Sequence, residues 1–284
     1  MGRRFRVRGD AAVVGEVRRL LDHFAPANPA DPADPPADTV AVVSVRRSAS
    51  GYAVTGTGPG GGVGVGDGTA RDTAGATALV LAGLNATALA GAGCLAVHAG
   101  VVARGGRAVA FPAGSGQGKS TLTAACLRAG LDYVSDEALC LGWPDAGVLP
   151  YPRPLELSGW SRAAVGLVPV SIPAPDDHRD GGRGDALVTA AELGAGLAGP
   201  PLVLDHVVLP CRHADPARTD VALDAAPRQR AAAALLTRSF NHWRDPDRAF
   251  DLVHEVVSRT RVWRLNWGDP TRAATVLSDL LPAR

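Results

Sequence analysis

The nine residues AGSGQGKST, Ala113 to Thr121, constrain this chain more than any others, because they give the order Ala/Gly-x-x-x-x-Gly-Lys-Ser between a strand-forming run and a run at helical spacing. Gly114, Gly116 and Gly118 allow a backbone that wraps successive N–H groups around an anion. The helix that begins after Gly118 points its positive end at the same place. Lys119 then reaches the β and γ phosphates of a nucleotide, and the Ser120 hydroxyl can ligate Mg²⁺. With the remaining loop residues Ser115, Gln117 and Thr121, this is a phosphate-loop reading that implies ATP and Mg²⁺. Composition sharpens it: of the 29 lysine and arginine residues in 284, Lys119 is the only lysine. A coding bias toward arginine has replaced lysine wherever charge alone suffices. At this position a compact ammonium is needed, and the larger planar fork of arginine would not fit.

The flanks say how the loop is entered. Two β-rich runs, Leu95 to Ala103 and Arg107 to Phe111, surround Gly105-Gly106, a pair suited to a type I′ turn in which both central residues take positive φ. The hairpin implies a mixed sheet, since parallel nucleoside-kinase sheets enter the loop by helical crossovers. A helix from Lys119 to Arg128 is expected after the loop, ended by Gly130, and then a short strand at "DYVS". That strand ends in two acids, Asp136 and Glu137. It is expected beside the phosphate-loop strand, with its end on the same rim. Neighbouring residues on an extended chain point opposite ways, so one acid faces the cleft and the other reaches it through a bend or a metal-bound water. Transfer of a phosphoryl group to a hydroxyl needs a carboxylate to take the proton and Mg²⁺ to neutralise oxygens. Asp136 is read as the base, and Glu137 with Ser120 as the Mg²⁺ ligands, with the two roles open to exchange.

Elsewhere the chain reads as an N-terminal α+β region, residues 1–93, followed by a phosphate-loop domain, residues 94–284. In the first, "FRVRG" reads as a strand and "AAVVGEVRRLLDHF" as an amphipathic helix. A proline-rich connection from Ala25 to Thr39 leads to two strands, and the glycine run from Gly60 to Gly68 reads as a hairpin turn or mobile loop because no Lys-Ser/Thr follows it. A helix from Thr73 to Gly91 closes the region, which could recognise substrate. In the second, residues 176–185 read as a mobile loop. Helices are expected at Pro227 to Phe240, Arg248 to Arg259 and Pro270 to Leu281. A net charge of +1 without a basic run argues against a nucleic-acid partner. No uninterrupted apolar stretch of about 18 residues is seen, which argues against a membrane. Four cysteines without CxxC spacing read as reduced thiols in a cytoplasmic protein.

Taken together, "VHAGVVARGGRAVAFPAGSGQGKST" followed by "LDYVSDEALCL" resembles the catalytic domain of the HPr kinase/phosphorylase superfamily, in particular its HprK-like serine kinase relatives. The resemblance spans about Leu95 to Leu281. It implies a P-loop kinase core with a mixed sheet of the phosphoenolpyruvate-carboxykinase type, and transfer of the γ phosphate of ATP to a serine or threonine of a peptide or protein, a natural-product precursor included, or to a small-molecule hydroxyl. It places His98 near the γ phosphate beside Lys119 and Asp136. True HPr kinases carry Asp-Asp where this chain has Asp136-Glu137, and the glycine- and arginine-containing signature that follows their acidic pair has no counterpart here, which argues against HPr as substrate and against phosphorylase activity. Arg153 and Arg212 can supply positive charge at strand ends. Asn241 and His242 read as a helix cap or turn. A homo-oligomer is left open. A transporter-type ATPase fits poorly, because "LSGW" at 157–160 lacks the Gly-Gln of that signature and His206 follows Asp205 where a glutamate belongs. A nucleotide-gated binding module without turnover stays in view because of Glu137.

Overall fold

The computed structural model describes residues 5–24, 41–57, 67–114, 116–167, 186–215 and 217–281. The proline-rich connection, the glycine run up to Gly66, the loop at 176–185 and Ser115 lie outside the described residues. The chain divides into two compact units, Met1–Ala92 and Gly93–Arg284.

The first unit is a four-stranded sheet with helices: β1 (Phe5–Gly9), α1 (Ala11–Leu20), β2 (Ala41–Ser48), β3 (Gly51–Thr57), β4 (Gly68–Ala70) and α2 (Thr73–Ala90). The sheet runs in chain order. β1 is parallel to β2 and the other pairs are antiparallel. Asp10 caps α1 by accepting from the backbone N–H of Ala12 and Val13, and Asp72 caps α2 through Gly75 N–H. α2 packs on β2 to β4 and on α1, burying Val80, Leu81, Leu84 and Leu89. By length and composition α2 is apolar enough to cross a membrane. Thr77, Asn85 and Thr87 interrupt it, so it is not an uninterrupted apolar run, and eight of its residues are buried in this unit.

The second unit contains β5 (Cys94–Arg104), β6 (Arg107–Pro112), α3 (Lys119–Arg128), β7 (Asp132–Ser135), β8 (Ala138–Gly142), β9 (Val148–Leu149), β10 (Leu155–Leu157), α4 (Gly159–Ala164), β11 (Ala186–Val188), β12 (Val203–Arg212), β13 (Val221–Ala225), α5 (Arg228–Thr237), α6 (Pro246–Arg259), β14 (Arg261–Trp267) and α7 (Pro270–Ser278). Its main sheet has the order β13-β14-β12-β6-β5-β8-β9, with β7 also on β5. β6, β12 and β14 are parallel and the remaining pairs antiparallel, so the fold is α/β with a mixed sheet. Gly105 and Gly106 take φ of 59° and 81°, as the β5–β6 turn requires.

Strand alternation sends side chains to two cores. Val101, Ala108 and Ala110 join Leu235 of α5 and Leu252, Val253 and Val256 of α6 on one face. Val102, Val109 and Phe111 join Leu122 of α3, Trp267 of β14 and Leu277 of α7 on the other. Each of these large apolar side chains contributes about 1.5–3 kcal/mol on burial. With both faces covered, ligand access is confined to the sheet's ends, and the phosphate-loop sequence lies at the C-terminal end of β6.

One expectation about placement is corrected. β7 does not lie beside the phosphate-loop strand: it pairs with β5, and β5 separates it from β6. The tight β5–β6 hairpin occupies that edge of β6 and β12 takes the other, so β7 has only the far side of β5 to join.

Candidate active site

β5 changes partners on both edges at one level. On one edge Ala99 to Arg104 pair with β6, while closer to its start Val97 bridges Ser239, His98 N–H donates to the Arg238 carbonyl at 2.8 Å, and Phe240 N–H to the Ala96 carbonyl at 2.8 Å. On the other edge Val101 to Ala103 pair with β7 and Cys94 to His98 with β8; Asp136 and Glu137 are the joint between those strands. His98, Ala99 and Gly100 therefore stand between the departing phosphate loop and the acidic pair. Such a switch of strand partners opens a crevice at the sheet's end.

The loop itself is held by its glycines. Gly116 and Gly118 have φ of 75° and 80°, a left-handed conformation that glycine adopts without steric cost. A Cβ on Gly118 would also stand 2.5 Å from Trp267 Cζ2. Gln117 folds back so that its Oε1 accepts from Gly114 N–H at 2.8 Å. From the first turn of α3, Lys119 runs inward and is only 8% exposed, and among the described residues its ammonium has no hydrogen-bond or ion-pair partner.

The two acids differ in surroundings. Asp136 is buried, and its Oδ1 has no hydrogen-bond partner. Burial pushes its carboxyl above the ordinary aspartate value, and the nearby Lys119 ammonium and the hydroxyls of Ser120 and Thr123 draw it part of the way back. Glu137 is occupied: Arg153 Nη1 donates to its Oε2 at 2.7 Å, and its Oε1 lies 3.7 Å from His98 Nδ1. The turn carrying both is pinned by Ser135 Oγ, which accepts from Glu137 N–H at 3.2 Å and Ala138 N–H at 3.0 Å.

His98 Nδ1 lies 3.2 Å from the Glu137 carbonyl oxygen. A carbonyl only accepts, so this bond requires the proton on Nδ1 and leaves the Nε2 lone pair available. Burial, and then the positive charge of Lys119, hold the imidazole below its ordinary pKa and favour the neutral ring.

These residues share one cavity of about 440 Å³, lined by His98, Gly114, Gly116, Gly118, Lys119, Ser120, Thr121, Asp136 and Glu137 and continued by Arg153, Pro154, Glu156, Ser158 and Ser161. In its wall the hydroxyls of Thr121, Ser161 and Ser158 form a chain at 2.8 and 2.9 Å. Of the residues singled out in the sequence, Arg212 does not line the cavity; its guanidinium stacks 3.9 Å above the Trp160 ring. Asn241 stands at the N-cap position of the short 3₁₀ turn His242–Arg244, within the expected cap or turn, but its side chain makes no capping bond. Its side chain accepts from Ala96 N–H at 3.0 Å and donates to the Cys94 carbonyl at 2.8 Å, extending the ladder on β5. His242 opens a 3₁₀ turn away from the cavity lining. Gly100, Ser158, Ser161 and Arg238 carry no motif in the sequence and become neighbours of the loop or its lysine only through the fold.

No protein-family model matches the chain, and no curated protein matches it.

Proposed function

We propose that this protein is an ATP-dependent kinase that transfers the γ phosphate to a hydroxyl, with a P-loop kinase core of the HPr kinase/phosphoenolpyruvate-carboxykinase type. One observation carries the reading: the buried ammonium of Lys119 and the carboxyl of Asp136, whose Oδ1 has no hydrogen-bond partner, line the same cavity at the N-terminus of α3. Loop amides, helix dipole and lysine fit a triphosphate. The hairpin entry, the histidine on β5 and the acidic pair support the finer fold assignment.

The residues present fit Mg²⁺. An orphaned buried carboxylate oxygen beside a serine hydroxyl is the oxygen donor set a hard cation takes together with phosphate oxygens. Asp136 and Ser120 would hold it, and when bound it neutralises charge on the phosphate oxygens. Glu137, engaged by Arg153 and His98, is assigned to orienting His98 in place of the metal-ligand role read from the sequence, and the base role read for Asp136 passes to His98.

His98 Nε2 accepts the proton of the acceptor hydroxyl as the new O–P bond forms at the γ phosphorus and the bond to the bridging oxygen breaks, releasing ADP. Lys119 stabilises charge on the transferred group. The acceptor approaches along the wall of Arg153, Pro154, Glu156 and Ser158. A serine or threonine of a peptide or protein is the proposed acceptor class, resting on the family resemblance.

Incubating the chain with γ-labelled ATP and a panel of peptide and protein acceptors tests the reading. Label should pass to a hydroxyl with the wild type and not with Lys119→Ala. Tight ATP binding without transfer to any acceptor would replace the kinase by a binding module.

A further inference from the structure

We propose that Arg238 is a second cation of the phosphate site and contacts the terminal phosphate of the bound nucleotide. The proposal rests on the nucleotide reading above and adds a ligand-binding residue that no sequence motif marks.

Arg238 follows the last turn of α5, where its N–H is held by the Ala234 carbonyl at 3.2 Å. Its own carbonyl accepts from His98 N–H, so its backbone is tied to β5 at the switch point. From there the side chain reaches the loop: Arg238 stands outside the cavity lining, but its Nη1 lies 3.1 Å from the point where a Cβ would stand on Gly114, which is part of that lining. The charge is also felt at His98, whose pKa it helps to lower. Yet one of its guanidinium donors is unmatched. Its Nε is buried without a hydrogen-bond partner, and among the described residues no carboxylate pairs with it.

Arg238 is half-buried, and its one buried donor, Nε, is left unsatisfied unless an acceptor completes it. The nearby acids do not serve. Glu137 is taken by Arg153 and His98, and Asp136 stands beside Lys119. What remains is the position the glycine loop encloses. The fork of arginine suits two phosphate oxygens at once, whereas Lys119 supplies a point charge from α3. The absence of a side chain at Gly114 then has a second reason, because a Cβ there would press on the guanidinium. Asn241 acts as a positioning residue: its two bonds to β5 fix the segment that carries Arg238.

Equilibrium binding of ATP, ADP and inorganic triphosphate to the wild type, Arg238→Ala and Arg238→Lys tests the proposal, with far-UV circular dichroism on each protein. Arg238→Ala should weaken ATP and inorganic triphosphate at least tenfold and ADP less than threefold. Arg238→Lys should fall between, and added methylguanidinium should recover part of the loss. Equal losses for ATP and ADP, or ATP binding within twofold of the wild type in both variants, would overturn the assignment while leaving the nucleotide site intact. A wild type that binds neither ATP nor triphosphate would sink both this assignment and the reading it rests on.

Discussion

Lys119 crosses β5 at Gly100: its Cγ lies 3.2 Å, and the Thr123 hydroxyl 2.4 Å, from where a Cβ on Gly100 would stand. Because β5 separates β6 from β7 and β8, the lysine that leaves the phosphate-loop strand can approach Asp136 only over this residue. A methyl group there pushes α3 off the sheet or turns the lysine aside. Gly100→Ala is therefore expected to reduce ATP affinity more than tenfold and to cost about 1–3 kcal/mol of stability by overpacking. Calorimetric binding and urea denaturation read the two effects; unchanged affinity would show that the lysine takes another path.

Asp136 sets function against stability. Its raised pKa means that folding disfavours the charged form, so the carboxylate destabilises the ligand-free protein at neutral pH. Asp136→Asn removes that charge at constant shape. The expected outcome is abolished transfer together with a higher melting temperature without ligand, by about 2–4 °C for each kcal/mol relieved. Added Mg-ATP should stabilise the wild type more than the variant. A variant that melts lower than the wild type contradicts the account.

Asn241 replaces a stretch of backbone ladder with its side chain. Asn241→Leu leaves Ala96 N–H and the Cys94 carbonyl unpaired in a buried setting, at about 1–3 kcal/mol for each group. Loss of about 2–6 kcal/mol in chemical denaturation is expected. A parallel rise in the Kd for ATP should accompany it, because the same segment places Arg238.

Local chemistry explains which of these parts were legible in sequence. The phosphate loop, the Gly105-Gly106 turn, α3 and the acidic pair are short-range patterns in which spacing and residue type impose the geometry. Helix limits were softer: α5 stops at Thr237, three residues before the expected end, because Ser239 and Phe240 pair with β5, and α6 begins at Pro246 because Asp245 caps it. β8 went unseen, since five buried residues in a row carry no period of two. Gly100 and Arg238 were beyond reach for a stronger reason. Their roles arise where chain segments far apart in sequence meet on β5, and no periodicity encodes such a meeting.

His98 offers the sharpest pH test. Burial and then Lys119 lower its pKa below the ordinary 6.5, so the folded protein resists a proton that the unfolded chain accepts. The unfolded state binds more protons between the two values, and the stability contribution is full above pH 6.5 and lost as pH falls toward the folded pKa. As the proposed base, neutral His98 should likewise keep kcat/KM level to below pH 6.5, with an acid limb that vanishes, along with most of the rate, in His98→Asn. Lys119→Ala removes one of the charges holding the proton off, so the His98 resonance in that variant should titrate at a higher pH than in the wild type. Wild-type titration at or above 6.5 would mean that the ring is not buried beside the lysine, and the proposed proton acceptor would have to be sought elsewhere in the cavity.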